Sequence, residues 1–169
     1  MEAEQPRLRL ARILWGQLGV TPLRFFLAAG TLLAAIAAGA AGSPARVAFG
    51  LGLVAGGGLV LGDPRRRMLR REIEFRPAPE EFDLEEPWRS SLRALYPSSL
   101  GLTLLSLVAL AWDPVLSAVL AGVIAGLGVA GLISGIDVVL NERRLGGRIL
   151  SLAGVRMYRG TATLFVSKS

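Results

Sequence analysis

The chain contains no cysteine and no histidine, and Lys168 is its only lysine. Without cysteine there is no disulfide framework, no thiolate nucleophile and no thiolate metal site. The lack of histidine removes the commonest metal ligand and general base as well, which leaves any catalysis to carboxylates, hydroxyls or the backbone. Charge is scarce too, at 19% of residues, and is gathered into a few segments. Between these segments lie long runs with almost no charge at all.

What fills the runs is leucine, alanine, valine and glycine. Hydrophobic residues make up 52% of the chain and mean hydropathy is +0.51, above the balance of a soluble domain. The run that organises the rest is Val115 to Leu140, whose one charge, Asp137, lies near its far end. It reads as a membrane span. Along it Ala118, Gly122, Gly126, Ala130 and Ser134 recur every fourth residue, placing small side chains on one stripe where another backbone can come close. Three further apolar stretches predict an all-α membrane protein of four transmembrane helices in two consecutive hairpins.

The segments follow in order. Residues 1–20 read as an amphipathic interfacial helix, with Leu8, Ala11, Leu14, Trp15 and Leu18 on one side and Arg9, Arg12 and Gln17 on the other. A signal peptide competes for the same residues, but the apolar region runs straight into a second hydrophobic segment. The first transmembrane hairpin covers 21–62, with Pro22 in an opening turn, Ser43 and Pro44 at the reversal, and Gly52 and Gly56 at packing positions of GxxxG type. Arg24 and Arg46, near helix ends, are expected to snorkel to water.

Residues 63–96 form a polar connection whose charge is divided. Arg65, Arg66, Arg67, Arg70 and Arg71 come first, and Glu80, Glu81, Asp83, Glu85 and Glu86 follow. A basic block directly after a span is a cytoplasmic topology signal and attracts anionic lipids; no base-stacking motif accompanies it, so nucleic acid is not expected. A second amphipathic piece places Trp88, Leu92 and Leu95 on one face. The second hairpin covers 97–140, with Asp113 and Pro114 at its turn and Arg143 and Arg144 at its exit, so the two halves read as an internal repeat. The tail, 141–169, ends in residues that favour a short strand, which needs the loop or a partner to rest on.

Candidate chemistry is sparse. Asp63 and Asp137 occupy matching positions at helix ends, and Glu142 lies close to the second; beside arginines, such carboxylates could hold a divalent cation and a phosphate. The plainer reading is that they pair with neighbouring arginines, since no metal-ligand spacing or catalytic motif surrounds them. No catalytic residue, metal or cofactor is assigned. No ionisable residue lies at mid-depth in any span, so proton coupling through the membrane has no support.

These features predict a non-catalytic subunit of a bacterial inner membrane, multi-pass, with both termini cytoplasmic. Its expected partners are the lipid bilayer, anionic lipids, and either a membrane protein or a second copy of itself. A small oligomeric transporter or channel is the alternative, and an enzyme acting on lipid headgroups at the cytoplasmic face is the third reading.

Overall fold

The computed structural model describes residues 8–62, 75–79, 81–96, 98–153 and 164–167. The described chain is mostly helical, with a small sheet. Its helices are α1 (Ile13–Leu18), α2 (Thr21–Ala37), α3 (Gly42–Leu61), α4 (Pro87–Leu95), α5 (Ser98–Leu110) and α6 (Pro114–Leu145). The strands are β1 (Leu8–Arg12), β2 (Phe75–Pro77), β3 (Phe82–Leu84), β4 (Arg148–Leu152) and β5 (Leu164–Ser167).

The long helix α6 is the axis of the bundle. Asp113 caps its start by accepting a hydrogen bond from the Val115 N–H (2.8 Å), and Pro114 follows in the first turn, where a missing N–H costs nothing. Its end is set by Gly146, which takes the left-handed conformation (φ 63°) and returns its N–H to the Glu142 carbonyl. Along its apolar length α6 is covered by α3, α2 and α5, and Ala118, Ala121, Ile124 and Ala130 are fully buried.

The first pair of spans differs from a hairpin held by mutual contact. Helices α2 and α3 touch little along their lengths and are joined chiefly through α6. They converge near their turn, where Ala35, Ala40, Ala45 and Ala48 cluster with Ala118. The reversal also lies earlier than Ser43 and Pro44. Gly39 (φ 106°) and Gly42 (φ 76°) supply the positive φ angles it requires, and Ser43 and Pro44 fall in the opening turn of α3.

The expected N-terminal amphipathic helix is divided. Leu8–Arg12 is a strand, and only Ile13–Leu18 is helical. Pairing explains the change: β1 lies between β3, to which it is parallel, and β4, to which it is antiparallel, and Leu10 is completely buried there. The sheet has five strands in the order β2-β5-β4-β1-β3, with β5 antiparallel to β4 and parallel to β2. The N-terminal segment, the central connection and the tail therefore meet in one layer at one end of the bundle. On one side of this layer Ile149 and Leu164 pack with Ile13 of α1, and Val138 of α6 rests against them.

Candidate functional site

Where the helix ends meet the sheet, polar side chains make the contacts. Arg12 closes β1, and its Nε and Nη2 donate to Glu142 Oε1 (3.2 Å) and Oε2 (2.7 Å) in the last turn of α6. Glu142 Oε1 also accepts the Ile149 N–H of β4 (3.0 Å). One carboxylate thus ties the central helix to the adjacent strands β1 and β4. Burial opposes its ionisation, but the Arg12 hydrogen bonds, the Ile149 N–H and the charges of Arg12 and Arg148 outweigh that effect and hold its pKa below the ordinary value of 4.5.

A second junction is built on Arg24. Its Nε donates to Ser99 Oγ (2.9 Å), Nη2 to the Ala94 carbonyl (3.2 Å) and Nη1 to the Leu127 carbonyl (3.2 Å). The side chain turns inward to join α2, α4, α5 and α6, rather than snorkelling outward. The Ala94 carbonyl belongs to the last turn of α4, where helix carbonyls lose their intrahelical donors. Arg46, at the opposite end, is exposed. A third pair, Arg93 and Glu85 (2.6 Å), holds α4 to the segment after β3.

The small residues of α6 serve two faces. Gly52 and Gly56 of α3 lie against the Val119 and Val123 carbonyls, while Gly122 and Gly126 of α6 lie against the Phe49 and Leu53 carbonyls. A Cβ added at any of the four would meet backbone, so the helices approach more closely than alanine permits. Ala118 and Ala130 are buried beside them, and Ser134 is half-buried. This stripe is filled by the chain's own α3.

A second face was not singled out in the sequence. At Gly128 an added Cβ would press on the Phe25 ring, at Gly131 on Thr21 Oγ1 (2.8 Å), and at Gly135 on the Leu18 side chain. These glycines let α1 and α2 settle onto α6. Their three- and four-residue spacing was visible in the sequence, but it overlaps the other stripe and gives no sign of which neighbour each face meets. At the far end, Ser106 Oγ and Ser117 Oγ are 2.7 Å apart and fully buried, a hydroxyl bridge between α5 and α6.

The remaining sequence candidates are placed as follows. Asp63, Arg65, Arg66, Arg67, Arg70 and Arg71 lie outside the described residues. Asp137 is half-buried on α6, and Arg143 and Arg144 are exposed in its last turn, where positive charge suits the negative end of the helix dipole. Glu142 is engaged by Arg12 and Ile149, and among the described residues no group of three or more acidic side chains is placed to hold a metal ion.

Three described helices are long and apolar enough to cross a membrane, or up to four if the bent pair α4–α5 counts as one, which is compatible with a multi-pass membrane protein. Comparison with known proteins finds no matching family model, no matching curated protein and no matching solved structure.

Proposed function

We propose that the protein is a non-catalytic integral membrane subunit, a scaffold or accessory component that presents a small sheet at the cytoplasmic face of the inner membrane and packs against partner helices or a second copy. The observation that carries this reading is the use made of its polar side chains. Arg12, Glu142, Arg24, Arg93 and Glu85 all bind helix ends to the sheet or to one another. That is the work of a rigid mount. A headgroup enzyme built on Asp137 and Glu142 would need Glu142 to leave both Arg12 and the Ile149 N–H.

Since Gly122 and Gly126 are occupied by α3, partner helices are assigned to the outward faces of α2 and α3. Gly30 and Gly58 lie there with nothing within 4 Å of an added Cβ, beside exposed Phe26, Leu33, Val54 and Leu59. The basic block 65–71, with Arg143 and Arg144, orients this end toward the cytoplasm and its anionic lipids. On this reading the two halves are a duplicated pair of spans, each reversed at an exterior turn, as the sequence pattern suggests.

The test is purification in mild detergent with identification of what accompanies the chain. A stoichiometric membrane partner or a stable homo-oligomer, lost in Gly58→Leu or Gly30→Leu while the fold persists, is the expected result. Solute flux through the reconstituted chain, with the homo-oligomer as the conducting species, would replace this reading with the transporter.

A further inference from the structure

We infer that the bent pair α4–α5 is one complete membrane crossing, with Trp88 seated in the lipid headgroup boundary at the sheet end, Leu92 and Tyr96 facing lipid below it, and Trp112 at the opposite boundary. The inference rests on the membrane reading above and adds the number of crossings and the partner of this face.

The first argument is parity. Strands β3 and β4 flank β1 in one sheet, so the chain that leaves β3 and returns to β4 must cross the membrane an even number of times. Between them lie α4, α5 and α6. Helix α6 crosses once, so α4 and α5 together make the other crossing.

The second argument is length. Helix α5 has 13 residues and rises only about 20 Å, short of a hydrocarbon layer of about 30 Å. Helix α4 has 9 residues and is inclined to α5 by 45°, which adds about 10 Å along the same direction. The pair matches the membrane where α5 alone does not.

The third argument is what the pair exposes. Trp88 (56%) and Leu92 (50%) are open on one side of α4, Tyr96 (64%) is open just past its end, and Leu100 and Leu104 of α5 are exposed as well. The opposite side of α4 rests on α1, where Gly16 meets Ser90 and Ala94. Both helices of the pair thus expose large apolar side chains, as a lipid-facing crossing requires. Trp112, at the other end, is 83% exposed. Amphipathic aromatic rings at both ends of a crossing are what the two membrane–water boundaries favour. Charge on α4 is balanced locally, with Arg89 over the Trp88 ring at 5.2 Å and paired to Glu86, and Arg93 paired to Glu85. The seat therefore does not depend on anionic lipid.

Trp15→Phe/Trp112→Phe and Trp15→Phe/Trp88→Phe leave one reporter at each end. Each is reconstituted in phosphatidylcholine vesicles whose chains carry bromine near the headgroup or near the terminal methyl. Both reporters should be quenched several-fold more strongly by the shallow bromine, and equally so when phosphatidylglycerol is added. Quenching of Trp88 by aqueous iodide but not by lipid, protection of Trp88 from both, or stronger quenching by the deep bromine would each overturn the seat while Trp112 upholds the membrane reading. If neither reporter senses lipid, the membrane reading falls with it. Should the tryptophan variants misfold, spin labels on Leu92→Cys and Leu104→Cys give the same answer: both must collide with oxygen more than with a water-soluble nickel complex, and the reverse at Leu92→Cys alone refutes the seat.

Discussion

Arg12 and Glu142 stand 130 residues apart in the chain and are joined by two hydrogen bonds of 2.7 and 3.2 Å. The pair locks the first strand to the end of the central helix. Because the same carboxylate accepts the Ile149 N–H, Glu142→Gln disturbs the helix, β1 and β4 together. Loss of a charge-assisted hydrogen-bonded pair predicts a cost of about 1.5–3 kcal/mol, measured as a lower midpoint of thermal unfolding in detergent.

The same pair predicts a pH dependence. With its folded pKa held below 4.5, Glu142 binds protons more readily in the unfolded chain, so stability rises with pH across the interval between the two values. Its contribution is complete above the unfolded value and is lost as pH falls through the lowered folded value. The acid limb of unfolding should therefore flatten in Glu142→Gln, and an unchanged limb would remove Glu142 from the junction.

Gly126→Leu and Gly30→Leu add the same side chain to two different surfaces. At Gly126 it meets the Leu53 carbonyl and the Gly57 N–H of α3, while at Gly30 it meets nothing within 4 Å. Overpacking of this kind costs about 1–3 kcal/mol or more. Gly126→Leu should still insert, because leucine suits lipid, but α3 should become sensitive to protease. Gly30→Leu should keep the parent's stability. Equal behaviour of the two would mean that the α3–α6 contact does not hold the bundle.

The apolar runs and their small-residue spacing were legible because both are local properties of a helix. What a stripe faces was not: Gly122 and Gly126 meet the chain's own α3, and their spacing says only that some backbone comes close. Strand β1 was illegible for a related reason. In Leu8-Arg9-Leu10-Ala11-Arg12 the apolar residues suit either period, and the choice is made by β4, over a hundred residues away. The strand tendency of the tail was visible, but its neighbours in the sheet were not. Arg24 read as a terminal arginine free to snorkel, since nothing nearby in sequence announces that Ala94, Ser99 and Leu127 converge on it.

Arg24→Lys retains the charge but not the fork that reaches three acceptors on three helices. A single ammonium cannot satisfy the Ala94 carbonyl, Ser99 Oγ and the Leu127 carbonyl in this geometry. The expected cost is about 2–3 kcal/mol, and it should be localised. Amide exchange should quicken in α4 and the first turn of α5, with the Gly52–Gly126 interface unaffected. Faster exchange throughout the bundle would show that Arg24 supports the whole fold rather than the junction of α4 with α5.

The sheet fixes which segments share a side, and that relation can be tested without a function in hand. Strands from the N-terminal segment, the central connection and the tail are hydrogen-bonded in one layer, so the proposed membrane reading puts all three on the same face. Ser43, just after the first reversal, and Asp113, at the second, then lie on the other. The parent has no cysteine, so each introduced cysteine is a unique label. Ser43→Cys and Asp113→Cys should react in intact cells with a membrane-impermeant maleimide. Arg76→Cys and Ser167→Cys should react only after the membrane is opened, because the positive-inside rule predicts that the arginine-rich segments face the cytoplasm. Labelling of all four from one side would contradict the crossings themselves. Labelling of Ser167→Cys alone from outside would separate the tail from the sheet and leave α6 unmatched by a return crossing.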